Sequence, residues 1–287
     1  MKVGIGLPAN IPGVRNHEFL DWARRADAGP FSSLGIIDRI VYDNYEPLIA
    51  LAGAAAVTQR VRLMTTVLLA PLRNAGVLAK QAASLNALSG GRFTLGLGIG
   101  RREDDFRAAP ASLKGRGRRF EAQLDTMKRV WAGEGPVEGV GPVGPATGNE
   151  GGPEVLIGGA TPAAIRRVGR WADGYMAPGG DPASVQASYR IAEEAWQAEG
   201  RPGRPRLVAV ASYALGPNAA DKVGGYIRHY YSFLGPAAEQ MAQNAIASTE
   251  ALKGTIQDMS GIGMDEIVFL PATAEMDQLE RLADIVG

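Results

Sequence analysis

The sequence predicts an α/β protein, a single (β/α)8 TIM barrel. Three observations carry this expectation. Eight short β-rich runs are each followed by a stretch with helical spacing. The length, 287 residues, suits one barrel. No shift in composition divides the chain, so residues 1–287 read as one domain. A doubly wound open sheet shares the alternation, but the count of eight favours the closed form.

The elements follow in order. Val3–Leu7 is the first strand, bounded by Pro8. Asn16 looks like an N-cap, and Phe19, Trp22, Ala23 and Ala26 follow at helical spacing. Leu34–Ile37 is the second strand; Pro47 then opens an Ala-rich helix that runs to about Thr58. Val61–Leu69 is the third strand, stopped by Pro71. Leu78, Ala82, Leu85 and Leu88 form the next helix face, closed by Ser89–Gly90–Gly91. Arg92–Ile99 is the fourth strand, and Phe120, Leu124, Met127 and Trp131 mark its helix. Residues 133–153 are dense in Gly and Pro and read as a loop. Val155–Ile157, Gly174–Ala177, Leu207–Leu215 and Glu266–Leu270 are the remaining strands. Their helices open at Thr161–Pro162, carry Val185, Tyr189, Ala192 and Trp196, span Asp221–Ile246 with a break at Gly235–Pro236, and end with Met276, Leu279, Leu282 and Ile285. Leu252, Ile256 and Met259 mark one more.

Composition excludes several functions. Lys plus Arg and Asp plus Glu number 30 each, so a general nucleic-acid or anionic-membrane surface is not expected. Cys is absent and there are two His, His17 and His229. A disulfide framework, a thiolate nucleophile and a multi-histidine zinc site are therefore excluded, and no metal is expected. The start, MKVGIGLPANIPG, lacks the apolar core of a signal peptide. The longest apolar stretch, PLIALAGAAAV, is short for a bilayer. A soluble cytoplasmic protein is expected.

In a barrel, functional groups sit on the loops after the strands. These begin at about Pro8, Asp38, Pro71, Gly100, Gly158, Pro178, Gly216 and Pro271; the 133–153 loop precedes a strand and belongs on the opposite face. GGRFTLGLGIG, 90–100, looks at first like a dinucleotide fingerprint. That pattern needs Gly at the first, third and sixth positions. From Gly96 the sixth position is Arg101, and from Gly98 it is Glu103, so both registers fail. Glycines inside a strand mark instead a close approach of backbone or ligand, with room for a flat molecule. LIGGATPAAIRR, from Leu156, ends a strand in Gly158–Gly159 and caps a helix with Thr161. Bare N–H groups at a helix start suit an anion, although an ordinary capped turn reads the same way. Arg166–Arg167 fit solvated helix surface.

VLLAPLRN, then ASLNALSGGRF, the Gly-rich strand and Glu103 to Phe106 resemble the bacterial luciferase-like flavin-dependent monooxygenase family. Gly-Gly-x-Thr-Pro-x-Ala at 158–164, Trp171–Tyr175 and Asp38–Arg39 also fit. The resemblance implies a barrel that holds FMN, or the deazaflavin coenzyme F420, at its C-terminal face. It implies a phosphate held at Gly158, Gly159, Ala160 and Thr161, helped by Arg101 or Arg102, a coenzyme ring near Thr66, Val67 and Gly98, and a non-prolyl cis peptide at Thr66–Val67. It further implies a lid at 216–248, with Tyr226, Tyr230 and Phe233 lining a substrate pocket. Light-emitting relatives carry Cys where this chain has Gly98 and His where it has Asp38–Arg39, so light emission is not expected. Asp38 could instead orient Arg39, which would stabilise developing negative charge; a plain ion pair is the competing reading. The function implied is a two-component monooxygenase acting with reduced FMN, supplied by a partner reductase, and O2 on a small organic substrate. Leu68, Leu95 and Leu97 would shield the reaction from water. A homodimer is implied as well. The alternatives are F420-dependent hydride transfer, a non-catalytic flavin-binding homologue, and a barrel without flavin.

Overall fold

The computed structural model describes residues 1–147 and 151–287, without the side chain of Asn16. Its strands are β1 (Lys2–Gly6), β2 (Ser33–Ile36), β3 (Arg62–Thr65), β4 (Leu68–Leu69), β5 (Phe93–Gly98), β6 (Glu154–Gly158), β7 (Gly174–Pro178), β8 (Arg206–Tyr213) and β9 (Glu266–Pro271). All pairings are parallel. The order is β3-β2-β1-β9-β8-β7-β6-β5-β4, and β3 also pairs with β5. That last pairing closes the sheet. The expected third strand is present as two pieces, β3 and β4, interrupted at Thr66–Val67. Nine segments therefore occupy eight barrel positions, as a (β/α)8 barrel requires.

The helices are α1 (Asn16–Ala28), α2 (Pro47–Val57), α3 (Ala75–Leu88), α4 (Glu103–Ala108), α5 (Arg116–Trp131), α6 (Pro162–Ile165), α7 (Arg167–Trp171), α8 (Pro182–Ala198), α9 (Ala219–Tyr230), α10 (Pro236–Gln243), α11 (Thr249–Gly261) and α12 (Asp277–Val286). Helix α1 begins at Asn16 with Arg15 at the cap position; the expected Asn16 side-chain cap lies outside the described residues. Pro47 and Pro162 stand in first turns, where the missing N–H costs nothing. Among the described residues, no helix is long and apolar enough to cross a membrane. Part of the Gly/Pro-rich loop, 148–150, lies outside the described residues. The rest follows the outer side of α3 rather than staying on the far face. Pro136 lies near Gly76, Lys80 Nζ donates to Gly144 O, and Asn86 Nδ2 donates to Thr147 O.

Alternation along each strand sorts side chains into two compartments. Leu95, Leu97 and Leu68 join the shell between barrel and helices, with Leu78 and Leu124. They do not face the mouth, which corrects the expectation that they shield a reaction there. Met64, Leu156, Met176, Val208 and Val268 form a separate apolar cluster inside. Towards the N-terminal ends of the strands a polar layer plugs the barrel. Thr94 Oγ1 donates to Glu154 at 2.6 Å, Arg206 Nη1 donates to Glu154 at 2.6 Å, and Ser33 Oγ donates to Glu266 at 2.6 Å. Arg206 also bridges to Glu266 and Arg62 to Glu154. Function is thereby left to the open, C-terminal end.

Candidate active site

The floor of the mouth is built by the interruption between β3 and β4. The Thr66–Val67 peptide bond is cis, and the chain here bulges towards β5 and β6. A Cβ on Gly96 would stand 2.0 Å from Thr65 O; on Gly98, 2.7 Å from Val67 Cγ2; on Gly158, 2.8 Å from Val67 Cγ1. These glycines admit a neighbouring backbone and its valine, so the space over Gly98 is filled by Val67 rather than left for a flat ligand. Thr66 is buried, and its Oγ1 has no hydrogen-bond partner.

Asp38 and Arg39 follow β2 but face different partners. Asp38 is buried; Arg73 donates to both its carboxylate oxygens, and the Leu69 N–H donates at 2.8 Å. Arg73 also reaches Glu46 at 3.0 Å. Asp38 thus ties the end of β2 to the turn after β4 and does not orient Arg39. Arg39 pairs with Asp104 at 3.2 Å, donates to Tyr230 O at 3.4 Å and lies over the Tyr42 ring, 4.7 Å from its centre. Arg73 sits within VLLAPLRN, yet nothing in its spacing tied it to Asp38; its role was missed.

The two arginines after β5 divide their work. Arg101 is exposed and stacks on Phe233 at 5.1 Å. Arg102 is buried, lies 4.5 Å from the Tyr230 ring centre and 4.3 Å from that of Phe233, and donates to Tyr230 O at 3.0 Å. The following Asp105 accepts from the N–H groups of Ile40 and Val41 at 2.9 and 2.8 Å, which fixes the β2 loop.

The turn after β6 is held from below. Tyr175, in the Trp171–Tyr175 motif, donates its hydroxyl to Gly159 O at 2.8 Å. Burial pushes its pKa up to about 12, so it stays a donor. Gly159 has φ of 154°, and its Cβ position lies 2.7 Å from Ala164 Cβ, a conformation and a contact that call for glycine. Thr161 Oγ1 caps α6 by accepting from Ala164 N at 3.3 Å. Ala160 and Thr161 are exposed, and their N–H groups enter no backbone hydrogen bond. This turn therefore has spare donors for an anion. Arg167, expected on solvated surface, instead pairs with Glu121 at 2.9 Å with little exposure.

The 216–248 segment folds as α9, a short turn of 3-10 helix at Ser232–Leu234, and α10. Tyr226 and Tyr230 are buried and stacked with centroids 5.5 Å apart. The Tyr226 hydroxyl meets Asn10 Nδ2. Burial raises both phenol pKa values well above their usual range, so both stay protonated near neutral pH and neither serves as a base there. Phe233, with Tyr231 and Leu234, lines a cavity of about 850 Å³. Its other walls include Arg101 after β5, Pro178 at the end of β7 and the residues to Asp181, Val210 and Ser212 of β8, Met241 of α10 and, between barrel and helices, Met259 of α11 and Ile267 of β9. The β6 turn lies between the β5 and β7 loops in barrel order. Phe233 thus faces the cavity, whereas Tyr226 and Tyr230 pack beside it; Tyr231 and Asn10 were not singled out in the sequence, having no motif of their own.

Comparison with known proteins agrees with this architecture. The family model described as luciferase-like monooxygenase matches residues 1–269. An uncharacterized protein of Mycobacterium tuberculosis is 31% identical over 195 residues, covering 57% of this chain and 66% of the relative. A putative coenzyme F420-dependent oxidoreductase of the same organism is 36% identical over 153 residues, covering 50% and 40%. The chain thus covers less than two thirds of the length of these relatives. The crystal structure of monooxygenase RslO1 from Streptomyces bottropensis superposes with a TM-score of 0.75 at 23% identity, over 99% of this chain and 97% of that one. With its closed parallel barrel, interrupted third strand and a family match that spans residues 1–269, the chain belongs to the luciferase-like monooxygenase family.

Proposed function

We propose that the protein is a flavin-dependent monooxygenase that takes reduced FMN from a separate reductase and uses O2 to oxidise a small organic substrate. The observation that carries this reading is the largely apolar cavity between the loops after β5 and β7; the β6 turn, with its unused N–H donors, does not line it but follows the strand between those two in barrel order. The residues fit the coenzyme's two ends. Ala160 and Thr161 offer main-chain donors to a phosphate, and Arg101 stands at the rim with no carboxylate partner among the described residues. Val67 supplies an apolar floor for a ring, and the neighbouring Thr66 Oγ1 is buried without a hydrogen-bond partner.

Bound there, the coenzyme would supply the electrons and the oxygen activation. The chain's own work is to bind, orient and keep water out. Ile227, Tyr231, Phe233 and Leu234 roof the cavity, and a dry site strengthens every charge interaction inside it. Asp38 serves as a brace, since both its oxygens are committed to Arg73 and Leu69 N–H. Arg39 and Arg102 place positive charge beside the residues that wall the cavity.

F420-dependent hydride transfer is the second reading, favoured by the oxidoreductase relative of that name. Titration of the protein with FMN, reduced FMN and F420, read by quenching of coenzyme fluorescence or absorbance, separates the readings. We expect tighter binding of reduced FMN, weakened in Arg101→Ala, and oxygen consumption on adding candidate substrates. Binding of F420 alone would turn the assignment to hydride transfer. Binding of FMN with no turnover across substrate classes would favour a flavin carrier, and no binding of either coenzyme would end both enzyme readings.

A further inference from the structure

The carbonyl of Tyr230 is the last of α9, and helix ends leave such carbonyls without helical partners at the negative end of the dipole. Here two guanidinium groups from different loops converge on it. Arg102 Nη2 donates at 3.0 Å and Arg39 Nη1 at 3.4 Å. The same two arginines hold the Tyr230 ring, 4.5 Å and 5.6 Å from its centre. Both are anchored in α4: Arg39 by Asp104 at 3.2 Å, Arg102 by Asp105 at 3.9 Å. A third contact joins the same parts, Tyr42 Oη to His229 Nδ1 at 2.8 Å.

We infer that Arg39 and Arg102 form a two-armed clamp that holds the lid segment in place by the C-terminus of α9. They are positioning residues, acting through Tyr230. The residues that follow Tyr230 roof the cavity: Tyr231, Phe233 and Leu234. The cavity is already partly open to solvent, so release of the Tyr230 carbonyl would widen its mouth by freeing these residues. The grip is strong but incomplete. Both Nε atoms are buried without a hydrogen-bond partner, and Arg102 stands at 3.9 Å from its carboxylate rather than in close contact. Such a clamp can let go without unfolding the barrel, because its partners lie on helices outside the sheet. Asp105 also holds the Ile40 and Val41 N–H groups, so lid position and β2-loop position are set by one segment, 102–105.

Amide hydrogen exchange on the coenzyme-free protein tests this, and it does not depend on which coenzyme is used. Arg102→Met keeps an apolar stem against Tyr230 and Phe233 but removes every donor. We expect exchange across 219–243 to accelerate about tenfold or more, as loss of a charge-assisted hydrogen bond implies, while amides of β5–β7 keep their protection. Arg102→Lys should recover part of the protection, since an ammonium still reaches a carbonyl. Arg39→Met should give a smaller acceleration of the same segment and serves if Arg102→Met does not fold. Unchanged lid exchange in the folded variants would overturn the clamp. So would equal acceleration in lid and strands, which would mark a general structural role.

Discussion

Substituting Gly98 by Ala tests how the mouth is built. The new Cβ would stand 2.7 Å from Val67 Cγ2, about 1 Å inside the ~3.5–4.0 Å of ordinary carbon contact. The other methyl of Val67 already packs over Gly158, with Cγ1 2.8 Å from where a Cβ there would stand, so the valine is held between the two strands. Overpacking of this kind costs about 1–3 kcal/mol, or a fall in melting temperature of roughly 2–4 °C for each kcal/mol in a chain of this size. Val67→Ala alone removes two methyls from a half-buried position and should cost about 1 kcal/mol. In the double variant the clash is gone, so Gly98→Ala becomes nearly free and the cycle shows a coupling of about 1–2 kcal/mol. Urea unfolding of the four proteins, followed by circular dichroism, measures it. Additivity within ~0.5 kcal/mol would refute the claim that Gly98 exists to admit Val67.

Asp38→Asn should act on stability rather than on chemistry. It leaves the Arg73 guanidinium, 16% exposed and still touching Glu46, without its main partner, at a cost of about 2–3 kcal/mol by denaturant unfolding, below the full cost of a fully buried pair. Lost turnover with unchanged stability would return Asp38 to a chemical role. Glu154→Gln tests the polar plug. Burial works against the Glu154 carboxylate, but the charge of Arg206, hydrogen bonds from Thr94 and Arg206, and the charge of Arg62 outweigh it and lower its pKa. A lowered folded-state pKa means stability present above the unfolded value, about 4.3, and lost as pH falls through the folded one. The variant should therefore be less stable near pH 7, and its stability should fall less steeply than the parent's from about pH 5 to pH 3. Parallel pH profiles would contradict this.

The motif most useful for placing the chain in its family carries little of its chemistry. In Ser89-x-Gly91-Arg92-Phe93, Arg92 donates to Ser89 O, Thr58 O and Val61 O at 2.8, 2.9 and 2.7 Å. It knots the N-terminal end of the barrel, away from the mouth. The β6 turn was readable because everything it needs is local: Gly158–Gly159, the Thr161 cap and Pro162 lie within five residues. Asp38 and Arg39 were readable as residues at a strand end but not as a brace and a clamp arm. Their partners lie 35 and 191 positions away, and local spacing says nothing about such pairs.

The order of elements and the eight-fold alternation were determined by the sequence itself. They rest on periodicity, caps and breakers that act over a few residues. Barrel closure alone decided that Val67 fills the gap over Gly98 and Gly158, that Asp38 meets Arg73, and that two arginines grip the end of α9. Those contacts join separate strands and loops, and their partners are chosen by how the closed sheet brings distant segments together.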